Sequence, residues 1–298
     1  MTPPRLLVLG SAASEGIPAY FCGCRVCRAA AKLGGPDIRA RVSYNFGGDV
    51  QIDFGPDMMR AWHAHPDILS RMRHVLVTHA HEDHLSPLEL LFHSRAYAPV
   101  PLLDAVLQIH GTAPTRERMV REFALREGET FEQRLAAADL AFHLFQPFDS
   151  FALPGCDAFV RTFAADHVAH LDPCVFLVTL RGRTVFIGND TGFLPDASWE
   201  ALAKLRGQTA IDVAVLDDTG ELYGVPESPK EGDPWLHNHM SAPAVLETFD
   251  RLAALGLLAP ACIRAVNHFS HNAGATHDDL RAFFEPRGIV VCHDGLSL

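Results

Sequence analysis

Residues 78–89 read THAHEDHLSPLE. The stretch grows out of HVLVT, residues 74–78, an apolar run of strand length and period two. At the strand's end His79 and His81 point to the same side, because strand side chains alternate. Ser86, Pro87 and Glu89 predict a helix start, with Ser86 as N-cap, Pro87 in the first turn and Glu89 closing a capping box. Asp83 and His84 are thereby confined to a tight loop between strand and helix. Three imidazoles and a carboxylate in so small a volume suit Zn²⁺, Mn²⁺ or Fe²⁺.

Working outward, short apolar and β-branched runs recur along the chain. RLLVLGS, VSYNFGG and VQIDFG precede the motif; AFVRTFAA, CVFLVTL, RTVFIGND, IDVAVLDD, IRAVNHF and IVVCHDG follow it. Each is strand-sized and most end in Gly, Asp or His. Helical spacing marks SPLELLFHSRAYA, TRERMVREFALRE, SWEALAKLR, SAPAVLETFDRLAALG and HDDLRAFFEPRG, with Gly256 placed to stop the fourth of these. Strands and helices so interspersed predict a layered α/β architecture with mixed sheets. GELYGVPESPKEGDPWLHNHMS, residues 220–241, reads as a long surface loop near a site.

Composition narrows the function classes. With 298 residues, 48% of them hydrophobic, the chain can bury a large core, and one domain spanning 1–298 is expected. The net charge of −11 and the lack of any Lys/Arg-rich run count against a nucleic-acid partner. No apolar run approaches the ~18 residues of a membrane span. The N-terminal MTPPRLLVLGSAASEG is a poor signal peptide, so a cytoplasmic location is expected. Seven cysteines fit that reading: three crowd into FCGCRVC at 21–27, and Cys156, Cys174, Cys262 and Cys292 are scattered. The pattern suggests metal thiolates in a reducing compartment more than a disulfide framework. Cys22, Cys24 and Cys27 supply three ligands of a tetrahedral site that wants four.

H-x-H-x-D-H after an apolar strand resembles the metallo-β-lactamase superfamily of dinuclear hydrolases. That resemblance implies an αββα sandwich of two mixed β-sheets flanked by helices, with two divalent metals (Zn, Mn or Fe) at one edge. It implies that Asp53, in VQIDFGPD, supports the metal loop from outside. It assigns a ligand to ADHVAH, where His167 is chosen and His170 is the alternative. Asp190, in IGNDTG, takes the place of the bridging carboxylate. In IRAVNHFSHN, His268 is the last ligand, because His-Phe-Ser resembles the matching element of tRNA 3′-end processing nucleases. His79, His81 and His167 would then hold one metal, and Asp83, His84 and His268 the other.

The cysteine cluster resembles that of the phosphoribosyl 1,2-cyclic phosphate phosphodiesterases. Their fourth ligand, a His three residues past the last active-site His, corresponds to His271. Cys22, Cys24, Cys27 and His271 would form a closed set around a structural Zn²⁺. LGSAASEGIPAYFCGC also resembles the pyrroloquinoline-quinone biosynthesis protein B. In the phosphodiesterase branch a His before a late helix assists at the phosphate. His237 and His239 stand before the helix predicted to start at Ser241, and His239 is the candidate. Asp83 and His239 are thus the expected catalytic residues. Asp217 and Asp218, ending IDVAVLDD, are read first as turn formers, with support of the ligands from behind as the alternative. The eight remaining histidines (His63, His65, His74, His93, His110, His143, His277, His293) are read as structural or solvent-facing. The implied activity is hydrolysis of a small, possibly cyclic, phosphodiester. A lactone or thioester hydrolase and a non-catalytic accessory protein are the alternatives. The expected partner is a small phosphorylated substrate, without nucleic acid or membrane, and a homodimer stays open as the assembly.

Overall fold

The structure, a computed structural model, describes residues 3–102, 105–225 and 237–298. Within them the strands are β1 (Leu6–Gly10), β2 (Ser43–Phe46), β3 (Val50–Ile52), β4 (His74–Leu76), β5 (Leu107–Gly111), β6 (Leu140–Leu144), β7 (Ser150–Ala152), β8 (Ala158–Ala164), β9 (Cys174–Leu180), β10 (Arg183–Gly188), β11 (Ile211–Asp217), β12 (Leu258–Asn267) and β13 (Ile289–Val291). The helices are α1 (Arg25–Leu33), α2 (Met58–Ala64), α3 (Pro66–Leu69), α4 (Pro87–Leu90), α5 (Ala113–Glu122), α6 (Phe131–Ala136), α7 (Asp196–Ala203), α8 (Ala242–Ala254) and α9 (His277–Phe284).

β1 to β6 form one sheet in chain order, and β13-β12-β11-β10-β9-β8-β7 form the other. Both are mixed. β1/β2 and β2/β3 are antiparallel, whereas β3 to β6 run parallel. β7 to β10 are antiparallel neighbours, whereas β10 to β13 run parallel.

Alternation along each strand makes the layers. In β11, Val213 and Val215 join the apolar layer between the sheets, while Ala214 and Leu216 join the layer under the helices. The inter-sheet layer packs Tyr44, Phe46 and Ile52 against Phe176, Val178 and Ile187. On the second sheet's outer face, Leu177 and Phe186 meet Val26 of α1, Trp199 of α7, Phe249 of α8 and Phe284 of α9. On the first sheet's outer face, Val75 and Ile109 meet Met119 of α5 and Leu135 of α6. Helix, sheet, sheet, helix is the αββα sandwich expected. Each fully buried Leu, Ile or Phe contributes roughly 1.5–3 kcal/mol.

Three expectations need correction. The helix read over SPLELLFHSRAYA is only α4 and one 3₁₀ turn, Leu91–His93. Its capping box is not made, because the Ser86 N–H is committed to the Phe54 carbonyl at 2.7 Å and ψ at Ser86 is 82°, well off the extended value of a capping residue. The segment 220–241 is not a surface loop at its ends, since Glu221, Met240 and Ser241 are buried; residues 226–236 lie outside the described residues. Elsewhere the punctuation works as read. α8 stops at Gly256, whose φ of 69° is the left-handed conformation glycine takes without cost.

Candidate metal centre

In an open sheet, the carboxyl ends of parallel strands are where side chains can converge. Here two sheets bring such ends to one edge. Gly188, Leu216 and Val266 lie side by side across β10, β11 and β12, so the residues just past them leave the sheet together. These are Asp190, Asp217 and His268. From the other sheet, β4 delivers Thr78 to His84.

Backbone geometry aims several of these side chains. Asp53, Asp190 and His268 have φ of 59°, 51° and 66°. Left-handed Asp and His are tolerated but uncommon, and strain of this kind concentrates at functional sites. The Asp-x-Gly turn after β3 shows why its glycine is there. A Cβ on Gly55 would stand 1.9 Å from the Asp83 carbonyl oxygen. Without it the turn lies against the histidine loop. Asp53 then accepts from Thr78 N–H at 2.8 Å and from His84 Nδ1–H at 2.7 Å.

His79, His81 and His167 form one cluster, with His79 Nε2 2.8 Å and His167 Nε2 3.3 Å from His81 Nδ1. Asp83, His84 and His268 form the adjacent one. Asp190 lies between them. Its Oδ2 is 3.2 Å from His84 Nε2 and 3.1 Å from His268 Nε2, and its Oδ1 is 3.9 Å from His167 Nε2. His170 sits exposed in the turn Ala169–Leu171 and joins neither cluster.

The tautomers follow from what each Nδ1 meets. His84 Nδ1–H donates to Asp53, His167 Nδ1–H to the Asn238 carbonyl at 3.1 Å, and His268 Nδ1–H to Thr219 Oγ1 at 2.7 Å. The Nε2 lone pairs are therefore turned inward. His84 Nε2, His268 Nε2 and Asp190 Oδ2 are fully buried, close together, and yet form no hydrogen bond with usable geometry. Buried polar atoms left in this state are costly. Lone pairs converging on a common space are what a bound cation satisfies, so the donor set fits a pair of divalent ions.

Charge is balanced the same way. Burial alone would lower His84 and His268. Asp83 and Asp190 outweigh it for His84, which moves well above its ordinary value; Asp190 and Asp217 raise His268 to about 9. Burial would raise Asp83 and Asp190, but His84 and His268 hold both below the usual carboxylate range. The same carboxylates that raise these imidazoles would favour a bound cation in the proton's place, and among the described residues no Lys or Arg joins either cluster.

Asp217 does more than the turn expected of it. It makes that turn, accepting from the Thr219 N–H two residues on, and it is also a hub. It accepts from the backbone N–H of Asp190 at 3.0 Å, of Thr219 at 2.9 Å and of Met240 at 3.2 Å, and from His239 Nδ1–H at 3.0 Å. His239 stacks on His268 with ring centroids 5.5 Å apart and meets His167 edge-on at 5.0 Å. An acid ending a strand gives no sequence signal of such a role. Asp218 is fully buried, and burial and then Glu221 raise it well above the usual range. His237 is exposed and paired with Asp166 at 3.1 Å.

The cysteine cluster closes as expected in space. Cys22, Cys24, Cys27 and His271 place one ligand atom each within 4.8 Å of one another. His271 Nδ1 is 3.5 Å from Cys22 Sγ and 3.6 Å from Cys24 Sγ. Cys24 caps α1 by accepting from the Cys27 N–H, and Cys27 Sγ accepts from the Ala19 N–H. Although burial raises the Cys24 thiol, that N–H and His271 bring it down to about 6, while burial pushes Cys27 up to about 12.

Known proteins carry the same architecture. A coenzyme PQQ synthesis protein B from Bradyrhizobium diazoefficiens is 27% identical over 175 residues, 52% of this chain and 54% of that protein, so the chain spans about half the length of that curated relative. A diphosphatase of the PhnP family superposes with a TM-score of 0.68 at 20% identity, covering 99% of this chain and 96% of the other. Zn²⁺-bound PqqB from Methylobacterium extorquens gives 0.68 at 18% identity, with 99% of both chains covered. These two likenesses show the fold. Residues 49–259 match the model of the beta-lactamase superfamily domain, and the chain belongs to that superfamily.

Proposed function

We propose that the chain is a dinuclear metal-dependent hydrolase, and within that class a phosphodiesterase acting on a small, possibly cyclic, phosphodiester. One observation carries the reading. Seven side chains from two sheets (His79, His81, Asp83, His84, His167, Asp190, His268) gather into adjoining ligand groups, His84 Nε2, His268 Nε2 and Asp190 Oδ2 are buried and bare, and a paired His239–Asp217 dyad adjoins Asp190 and His268.

His79, His81 and His167 would hold one ion, Asp83, His84 and His268 the second, with Asp190 facing both. Two such ions, Zn²⁺, Mn²⁺ or Fe²⁺, acidify water near neutral pH and neutralise phosphate charge. The chain's own residues do the rest. Asp53, Thr219 and the Asn238 carbonyl fix the tautomers of His84, His268 and His167, so these three ligand nitrogens are presented already oriented. Asp217 holds His239 by Nδ1, which leaves Nε2 to donate a proton to the departing oxygen. Among the described residues no Lys or Arg joins either cluster, so bound divalent ions would supply the attraction for an anionic substrate. Cys22, Cys24, Cys27 and His271 would bind a structural Zn²⁺ that ties the N-terminal loop to the segment after His268.

Metal analysis joined to a substrate panel tests the reading. The expected protein carries about two ions besides one zinc per chain and hydrolyses bis(p-nitrophenyl) phosphate. Cleavage of a lactone or thioester with the diester untouched would move it to carbonyl chemistry. One zinc and no turnover would make it an accessory protein.

A further inference from the structure

A cavity of about 410 Å³ opens on the far side of the histidine loop, between α2, α3, α4 and the segment 98–102. Its volume lies in the ~300–1,000 Å³ range of small-molecule pockets. Phe54, Trp62, Met72, Leu90, Phe92 and Val100 supply most of its wall. Large apolar side chains gather at its rim, where Val100 and Leu102 are 86% and 73% exposed. Contiguous exposed apolar surface of this kind marks a place where something binds.

Three polar residues line the cavity: Ser70, Glu89 and His93. His93 turns its Nδ1 to the Ala138 carbonyl at 3.2 Å. Glu89 is different. The capping bond suggested by the sequence is not made, and its partly buried carboxylate has no hydrogen bond or ion pair among the described residues. The nearby Arg41 is committed to Asp57. Partial burial, and then the Asp57 charge, raise the Glu89 carboxyl above its ordinary value. A carboxylate at the edge of an apolar, aromatic hollow, with no protein partner among the described residues, is placed to receive a positive charge.

We propose that this cavity binds a small organic cation, an alkyl- or arylammonium whose nitrogen lies at Glu89 and whose apolar body lies against Trp62, Phe92 and Met72. Aromatic faces add attraction for such a cation. A fatty acid is the wrong partner, because its head would meet Glu89 and Asp57. A neutral hydrocarbon fills the space but leaves Glu89 uncompensated.

Trp62 is the reporter. Its fluorescence is titrated with decyltrimethylammonium, 1-decanol and decanoate, each below its aggregation concentration. Expected is saturable one-to-one binding of the ammonium, about tenfold tighter than the alcohol, with decanoate weakest. Glu89→Gln should weaken the ammonium about tenfold and leave the alcohol unchanged, at an unaltered melting temperature. Ala98→Trp, which fills the cavity, should abolish both. Equal affinity for all three heads, or no effect of Glu89→Gln, overturns the proposal. So does a solution dimer that Leu102→Glu dissociates in a protein that binds no ammonium, because the face would then serve a second copy of the chain.

Discussion

β4 has a histidine group at each end, and the two could hardly differ more. Past its carboxyl end stand His79, His81 and His84, interleaved with Asp83, Asp190 and Asp53. At its amino end His74 meets His110 of β5, which stacks on His143 of β6 at 4.7 Å and on Phe151 at 5.5 Å. No carboxylate bonds this second group. Its members satisfy one another: His110 Nε2–H donates to His74 Nδ1, whose own Nε2–H donates to the Pro154 carbonyl. Burial pushes His110 down to about 3 and lowers His74, whereas carboxylates raise His84 against an equal burial. Histidines alone do not make a metal site. Carboxylates among them, and partners at Nδ1 that leave Nε2 bare, do.

The sharpest way to break this contrast is to remove the carboxylate shared by both clusters. Asp190→Ala should cut phosphodiester turnover roughly a thousandfold or more and lower metal content. Unchanged rate and metal content would take Asp190 out of the site. His239→Ala comes next, with a loss of about 10²–10⁴-fold at unchanged metal content. The loss should be larger for an alkoxide leaving group than for p-nitrophenolate, which departs without a proton. An equal loss for both would deny His239 the role of acid. Asp217→Asn should cost about 10–100-fold, because it disturbs His239 and the Asp190 backbone without removing a ligand. An effect as large as that of Asp190→Ala would mean that Asp217 binds metal itself.

The contrast also explains what was legible in the sequence. His79, His81, Asp83 and His84 could be read because they fall within six residues and because period-two alternation says where they point. Asp190, His167 and His268 carry no such local signature. They were found only by their order along the chain relative to a known family. Asp217 was legible as a turn former, through its bond to Thr219, but not as a hub, because its contacts to Asp190, His239 and Met240 lie 22 to 27 positions away, which spacing cannot register. The fold came through as layers because strand periodicity is local, yet α1, α2, α3 and α6 went unread. α1 begins inside the cysteine cluster, α2 and α3 meet at Pro66, and α6 has only Phe131 and Leu135 buried. The residues at the amino end of β4 were read as structural, and nothing in HVLVTH said that His74 would face His110.

The smallest expected effect concerns that amino end. His110 has a folded-state value of about 3 against an ordinary 6.5, so the fold prefers it neutral. The stability tied to its neutrality is complete above pH ~6.5, and it drains away as pH falls toward about 3, where the folded form finally accepts the proton. His110→Phe keeps the stack on His143 and Phe151 but leaves His74 Nδ1 without its donor. The variant should therefore be less stable than the parent at pH 7.5, by about 1–3 kcal/mol. Acidification then works on the parent alone at this position, so the gap should narrow between pH 6.5 and 4. Urea unfolding of both proteins at matched pH reads that gap directly, and loss of metal in acid cancels because both lose it. A gap constant across the range would mean that His110 takes up its proton equally in folded and unfolded chains. The apolar burial invoked here would then have no hold on it, and the distinction between the two ends of β4 would rest on geometry alone.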